Sequence, residues 1–380
     1  MNFYFLKEVR NFCGRVTDPF YEAIHGAPSG NITRWQLIEH GLGSWHAACE
    51  QTSALRLAPR RFGSLNCDIM ARCVPEYPET GVAALRDAKV IGSDGWIFTK
   101  ENKWFSENTR QRNPWRWYDL PRSFRAPKRL KGRCLSIASD WGNNYSHFIL
   151  DCLGRFAVFI KAGFTERDVD FIYCTTPPTD TGMKFLLDLG IPEEKIIFSD
   201  QSPFIQADEI LVPSCPAQHG APPSWVIDFL RKSLSVVPTV SERRVYVPRN
   251  GSRKLANESE LLPILQRYGF DIFDHIHDDA TALFAGCDVV VGPHGAGLVN
   301  ALFCKRGTRL LELTPSDHCF PFYYTLAESA GLEFSYLAGR STGTRDPGAL
   351  ISPFDFTVDP GEFEAALDEI CTARVISDSK

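Results

Sequence analysis

The strongest constraint on the fold is a regular alternation of short apolar runs and amphipathic runs in the second half of the chain. Strands that alternate with helices at this spacing predict βαβ units and a parallel sheet. Ligands of such sheets bind beyond the carboxyl ends of the strands. The predicted strands are 244–247, 270–273, 288–291, 309–313 and 333–337, and the predicted helices are 258–268, 280–285, 298–304 and 320–330. Asn257 predicts a capping box for the first of these helices, and Gly269 its end.

The rest of the chain divides into two further regions, because 380 residues exceed one compact core of ordinary size. Residues 1–80 are an N-terminal extension of unclear role with a predicted helix over 35–49. Residues 81–238 form a first α/β domain that opens with a β-meander from Val82 and includes a last helix at 224–236. A linker at 237–239 leads to the second domain, residues 239–380.

Composition excludes several classes of protein. Hydrophobic residues make up 44% and charged residues 23%, which is typical of a globular chain, and the net charge of −5 argues against a general nucleic-acid binder. No apolar run reaches the roughly 18 residues of a membrane span, and the first residues lack the features of a signal peptide. We therefore expect a cytoplasmic protein whose 12 scattered cysteines are reduced core thiols.

The segment 288–300 combines a predicted buried strand with a glycine-rich turn over 292–297. A helix follows at once, so the turn places free backbone N–H groups at a helix N-terminus, where an anion is stabilised. This arrangement predicts a phosphate-binding turn. The alternative is a packing turn in which the glycines only let strand and helix approach closely.

Other polar residues follow neighbouring strands and are expected at the same edge of the sheet. Arginine binds phosphate oxygens bidentately, and a carboxylate such as that of Glu312 accepts hydrogen bonds from ribose hydroxyls. The alternative for Glu312 is a buried strand acid paired with a neighbour. The predicted nucleotide-diphosphate site comprises Arg249, Ser252, Arg253, His275, His294, Gly295, Ala296, Gly297 and Glu312.

His147 and Asp151 are four residues apart in a predicted helix, and hence lie on one face. Such a pair can share a proton in general-base chemistry, although His147 can also serve only to cap or pack the helix. No Asp-x-Asp motif stands at the end of a predicted strand: Asp278-Asp279 precedes a helix, and Asp168-Val-Asp170 precedes a strand. We therefore expect no metal site and no cofactor.

Residues 104–133 carry interleaved aromatic and basic side chains with only two acids. This pattern suits an anionic surface such as a membrane, and a solvated basic loop is the alternative. The basic residues are Arg110, Arg112, Arg116, Arg122, Arg125, Lys128, Arg129, Lys131 and Arg133.

The order of these motifs resembles glycosyltransferase family 61 over roughly residues 82–345. The resemblance implies the GT-B architecture, with two facing Rossmann-like domains and a cleft between them, and inverting transfer without an obligatory metal. We expect a bacterial-type member that takes a sugar from a nucleotide donor, UDP-linked, to a glycan or lipid-linked acceptor in surface polysaccharide synthesis. The motifs are His147-x-x-x-Asp151, Val245-Tyr-Val-Pro-Arg249-Asn-Gly-Ser-Arg253, Asn257-Glu258, Gly292-Pro-His294-Gly-Ala-Gly297 and Leu310-Leu-Glu312-Leu.

The resemblance also suggests roles. Arg249, Arg253 and the turn 294–297 would stabilise the leaving diphosphate, and His147 or Asp151 in the acceptor-side domain would be the base. A peripheral position on the inner face of an anionic membrane, through 104–133, is a further expectation. Two rival classes remain, a nucleotide-sugar epimerase or hydrolase and a non-catalytic nucleotide-sugar-binding protein.

Overall fold

The computed structural model describes residues 30–53, 58–68, 73, 76–108, 126–216, 222–236, 242–275, 277–318, 320–346 and 352–372. The chain forms two compact α/β units. Unit 1 contains Met1–Thr52 and Pro78–Ala217, and unit 2 contains Ser53–Tyr77 and Gln218–Lys380. The region before residue 80 is thus shared between the units, and the predicted linker at 237–239 lies outside the described residues.

Unit 1 is built on a ten-stranded mixed sheet. Four of its strands run parallel to one another in the spatial order 196–198, 171–174, 128–136 and 204–213. The predicted meander is present only in part, because 80–86 pairs with 204–213 and with 43–49 rather than with the strand that follows it. The strands are Asn31–Ile32, Gly43–Cys49, Thr80–Arg86, Lys89–Ile91, Trp96–Phe98, Trp104–Phe105, Lys128–Ser136, Phe171–Cys174, Ile196–Phe198 and Phe204–Pro213.

One continuous helical segment of unit 1 changes its winding twice. It begins as an α-helix at Tyr145–His147, continues as a π-helix over Phe148–Leu153 and returns to an α-helix over Gly154–Lys161. The other α-helices are Arg34–Glu39 and Asp180–Asp188.

The predicted helix over 35–49 is correct only at its start. Thr33 and Gln36 form a capping box at its N-terminus, and Gly41, with φ of +67°, follows its end. Residues Gly43–Cys49 are a strand instead, because they pair with 80–86 along the edge of the sheet.

Unit 2 contains a seven-stranded sheet. Five strands run parallel in the spatial order Phe270–Ile272, Arg243–Tyr246, Cys287–Pro293, Arg309–Pro315 and Glu333–Ser341. In chain order this is second, first, third, fourth, fifth, the doubly wound order in which ligands bind where the direction of winding reverses. The reversal falls between Arg243–Tyr246 and Cys287–Pro293. Arg60–Phe62 and Phe356–Thr357 add edge strands to Glu333–Ser341.

The helices of unit 2 include one that the sequence assigned to the first domain. In Ser224–Ser233, Arg231 donates to the carbonyls of Leu302 and Cys304 at 2.6 Å each and of Ala330 at 3.0 Å. These carbonyls end two other helices of unit 2, so Arg231 satisfies orphan acceptors there. The other helices are Glu258–Arg267, Ala280–Ala285, Phe322–Ala330 and Pro360–Thr372, together with a 3₁₀-helix at Ala296–Phe303.

Two local predictions for unit 2 need correction. The helix predicted over 298–304 is the 3₁₀-helix Ala296–Phe303, which starts two residues earlier. Asn257 forms no side-chain cap; its amide donates to the carbonyl of Val358 at 2.8 Å and accepts from the N–H of Val358 at 3.2 Å. Gly269, with φ of +71°, ends the preceding helix as predicted.

Most of the described cysteines are buried. Within the described ranges, no helix is long and apolar enough to cross a membrane.

Candidate functional site

The glycine turn of unit 2 lies at the reversal of strand order, and its glycines are required by the side chains that press on it. A Cβ on Gly295 would lie 2.3 Å from Nη1 of Arg249, and a Cβ on Gly297 would lie 2.5 Å from Cε1 of His275. Any larger residue would therefore push one of these side chains away. The structure brings together the turn, Arg249 and His275, as the sequence predicts.

Arg249 and Arg253 approach the turn from the loop that follows Arg243–Tyr246. Arg249 donates from Nη1 to the carbonyl of His294 at 2.8 Å and from Nε to the carbonyl of Ser252 at 2.6 Å. Nη1 of Arg253 lies 3.0 Å from Nε2 of His318. Ser252 thus contributes a backbone oxygen that orients Arg249.

Both guanidinium groups are partly withdrawn from water. Burial lowers the pKa of Arg249, and burial together with the neighbouring Arg249 lowers the pKa of Arg253 to about 10. Across the described residues, neither arginine forms an ion pair with a carboxylate, although carboxylates pair with eight other arginines of the chain. Two adjacent cations without an acidic partner favour the binding of an anion.

His294 and Glu312 form a buried pair, with Nδ1 of His294 bonded to Oε1 of Glu312. Burial raises the pKa of Glu312, while burial and then Arg253 and Arg249 lower the pKa of His294. These directions favour a protonated Glu312 that donates to Nδ1, which leaves the hydrogen of a neutral imidazole on Nε2. Glu312 thus has the neighbouring partner that the alternative prediction, a buried and paired strand acid, requires.

The backbone of the turn is fixed by contacts from several elements. The N–H of His294 donates to the carbonyl of Leu313 at 2.8 Å, and the buried hydroxyl of Tyr323 donates to the carbonyl of Gly295. The ring of His294 lies 4.5 Å from the ring of His318 and 5.0 Å from that of Tyr323, measured between centroids. Tyr323 was not among the predicted site residues.

Ala296 and Gly297 begin the 3₁₀-helix, and Gly295 precedes it in an extended conformation with φ of −172°. The first N–H groups of a helix have no partner within it, so they are available to a ligand or to water. The structure thus retains a helix start at the turn, although the winding is tighter than the α-helix that we predicted.

His147 and Asp151, the two candidates for the general base, lie in unit 1, where the π-helix begins. Nδ1 of His147 lies 2.8 Å from Oδ2 of Asp151, and Asp151 is only 1% exposed whereas the His147 side chain is 23% exposed. Asn144 caps the segment by accepting from the N–H of Ser146 at 3.1 Å. The predicted contact between His147 and Asp151 is confirmed. The two side chains differ in exposure, because the histidine is partly exposed and the carboxylate is buried beneath it.

In the described part of the stretch 104–133, fewer side chains are available to bind an anionic surface than the composition suggested. Trp104 is buried in a strand, Arg129 forms ion pairs with Asp87 and Asp208, and Arg133 pairs with a glutamate. These groups neutralise one another within unit 1. The remaining residues of the stretch, 109–125, lie outside the described residues.

The acidic pairs Asp278-Asp279 and Asp168-Val-Asp170, which the sequence does not place at a strand end, have structural roles. Asp279 caps Ala280–Ala285 by accepting from the N–H of Thr281 at 3.0 Å, and Asp168 accepts from the N–H of Thr165 at 2.6 Å. No group of three or more His, Cys, Asp or Glu side chains suited to a metal ion occurs in the part of the chain that the structure describes.

Comparison with known proteins shows which part of the chain resembles a known family. Residues 145–311 match the glycosyltransferase 61 family model. That segment includes His147, Asp151 and the predicted nucleotide-binding residues from Arg249 to Gly297, and it ends one residue before Glu312.

The chain is also similar to curated glycosyltransferases. Protein O-linked-mannose β-1,4-N-acetylglucosaminyltransferase 2 is 34% identical over 128 residues in Bos taurus and 33% over 127 in Homo sapiens, which is 30% of this chain and 22% of each relative. Xylan glycosyltransferase MUCI21 of Arabidopsis thaliana is 33% identical over 97 residues, 23% of this chain and 19% of the relative. The match thus spans about a fifth of the relatives' length.

These findings support glycosyltransferase family 61. The relatives come from animals and a plant, so they give no support to the expectation of a bacterial-type member.

Proposed function

We propose that this protein is an inverting, metal-independent glycosyltransferase that uses a nucleotide-sugar donor, with UDP as the nucleotide. The observation that carries the proposal is the pair Arg249 and Arg253, partly buried and without a carboxylate ion partner in the described residues, beside a glycine turn at the reversal of strand order. A diphosphate supplies the negative charge that this pair accommodates.

In the proposed reaction an acceptor hydroxyl attacks the anomeric carbon of the donor sugar. The new bond forms as the bond from that carbon to the diphosphate breaks, and the diphosphate leaves with the electron pair. Arg249, Arg253 and the first N–H groups of Ala296–Phe303 stabilise this developing charge. Because the arginines already carry the opposite charge, no metal ion is required for that step.

The proton of the acceptor hydroxyl goes to His147 in this proposal. Asp151 is buried beneath the imidazole and accepts from its Nδ1–H, so the lone pair of a neutral ring lies on Nε2. This geometry favours His147 as the base and Asp151 as the residue that orients it. Asp151 itself has little access to an acceptor.

The proposal also includes the GT-B architecture and a glycan or lipid-linked acceptor. It further includes a role in surface polysaccharide synthesis, a cytoplasmic location and contact with an anionic membrane. For the membrane contact, ion pairing of Arg129 and Arg133 leaves residues 109–125 as the segment to test. Because one of the relatives is an N-acetylglucosaminyltransferase, UDP-N-acetylglucosamine is the first donor to try, and UDP-xylose is the second.

The test is a thermal-unfolding screen of nucleoside diphosphates with and without EDTA. A ligand at 100 times its dissociation constant stabilises the folded state by about 2.7 kcal/mol, and we expect UDP to do so equally in EDTA. Stabilisation that disappears in EDTA and returns with manganese would refute metal independence. Donor turnover in the presence of an acceptor array, with the anomeric configuration read by NMR, then separates transfer from epimerisation, hydrolysis and simple binding.

A further inference from the structure

An exposed tryptophan stands next to the proposed base. Trp141 is 52% exposed, and the centroid of its ring lies 5.4 Å from that of His147, with 48° between the ring planes. An indole left half in water forgoes much of the stabilisation that burial would give it. Its position beside the reactive imidazole calls for a functional explanation.

The backbone of Trp141 is held in an unusual conformation. Its φ is +57°, in the left-handed region that bulky residues rarely adopt outside strained or functional positions. The N–H of Asn144 donates to the carbonyl of Trp141 at 2.8 Å, and the N–H of Gly142 donates to the carbonyl of Ser139 at 2.9 Å. Two hydrogen-bonded turns therefore hold the backbone of Trp141 in this conformation.

The same turn is packed against the helix that carries the base. A Cβ on Gly142 would lie 2.7 Å from Sγ of Cys152, in the π-helix, and 2.7 Å from Oγ1 of Thr175. Asn144 also caps the start of that helix. Trp141 and His147 are thus fixed to one framework, and a ligand that contacts both finds them already oriented.

The chemistry of the surroundings points to a carbohydrate. The face of an indole carries partial negative charge, and the C–H groups on one face of a pyranose carry partial positive charge and are apolar. Asn143, two positions after Trp141 in the same turn, is exposed and offers an amide donor and acceptor for hydroxyl groups. A membrane wedge would need apolar neighbours, whereas Trp141 is followed by Gly142 and two asparagines.

We propose that Trp141 is the stacking platform for a pyranose ring of the acceptor, and that it places the attacking hydroxyl of this sugar at Nε2 of His147. This inference rests on the proposed glycosyltransferase function and names a binding subsite within it. Trp141 is a positioning residue, because the proton is transferred to the imidazole and not to the indole.

The experiment is saturation-transfer NMR on the full chain in the presence of UDP. The probes are methyl glycosides of glucose, N-acetylglucosamine, galactose, mannose and xylose. The samples are the wild type, Trp141→Ala, Trp141→Phe and the matched control Trp35→Ala, which removes a tryptophan that is 63% exposed on the helix Arg34–Glu39 of the same unit. Thermal unfolding of each variant verifies its fold.

We expect at least one glycoside to show transfer to the C–H protons of one ring face. Trp141→Ala should weaken its binding about tenfold, Trp141→Phe should retain most of it, and Trp35→Ala should leave it unchanged. A wild type that binds none of the glycosides, or a Trp141→Ala variant that binds them as well as the wild type, would overturn the inference.

UDP affinity, measured in the same samples, distinguishes a failure of the proposed donor site from a failure of the proposed role of Trp141. UDP binding without glycoside binding overturns the role of Trp141 and leaves the donor site intact. Glycoside binding through Trp141 without UDP binding overturns the proposed donor and supports the stacking platform.

Discussion

Substitution of Gly295 by alanine tests the arginine site without removing an arginine. Gly295 has a φ of −172°, which alanine adopts without strain, so the only conflict is its Cβ at 2.3 Å from Nη1 of Arg249. Ordinary contact begins at 3.4 Å, so the guanidinium must move by about 1.1 Å, which breaks its 2.8 Å hydrogen bond to the carbonyl of His294.

The consequences for binding and for stability differ in size. A misplaced hydrogen bond to a charged group costs about 1.5–3 kcal/mol, so UDP should bind about 10- to 150-fold more weakly. The broken internal hydrogen bond costs only about 0.5–1.5 kcal/mol, and the melting temperature should fall by at most a few degrees. The fold survives because the end of a flexible side chain can yield.

The assay is isothermal titration calorimetry with UDP and with uridine, which lacks the phosphates. We expect the loss for UDP alone, and none for Gly361→Ala, the same substitution in a helix of unit 2 where the nearest atom is 3.2 Å away. Arg249→Ala should weaken UDP binding by a similar factor, and the double variant should be no weaker than Arg249→Ala alone. Equal losses for UDP and uridine, or additive effects in the double variant, would refute the reasoning.

The remaining predictions concern the base, the buried pair and a helix cap. His147→Ala should lower turnover about 10²- to 10⁴-fold without changing UDP affinity in calorimetry, and wild-type turnover would exclude it as the base. Burial raises the pKa of Glu312 above its unfolded value near 4.5, so its stabilising contribution is present below that value and declines as pH rises through the folded pKa. The melting temperature of the wild type should therefore fall relative to Glu312→Gln between pH 5 and 9, and a constant difference would contradict a protonated Glu312. Asp279→Ala removes the cap of Ala280–Ala285 and should cost about 1 kcal/mol in urea unfolding, against no change for exposed Asp346→Ala.

Much of unit 2 was predictable because its sequence signals are local. Strands of four or five mostly apolar residues, each followed by an amphipathic run, predict the parallel sheet, and the sheet rule then brings Arg249 and the glycine turn to one edge. The contact of His147 with Asp151 follows from helical spacing alone. These inferences need no knowledge of the partners across the sheet.

The errors arise where distant residues decide local structure. Residues 43–49 are a strand because 80–86 offers an unpaired edge, and Asn257 bonds to Val358, about a hundred positions away, instead of capping its own helix. Tyr323 reaches the glycine turn through a tertiary contact that no spacing in the sequence announces. The buried partner of Glu312 was foreseen only as an alternative, because strand position alone does not reveal which neighbour a carboxyl meets.

The π-helical turn over Phe148–Leu153 has a consequence for how the base could be lost or gained during evolution. A π-turn holds one residue more than the α-helical turn that would replace it, and each residue of an α-helix turns the next by about 100°. Deleting a single codon between His147 and Asp151 would shorten their spacing from four residues to three and change the contact between the two side chains. One small genetic event could thus alter the contact between the proposed base and the carboxylate beneath it.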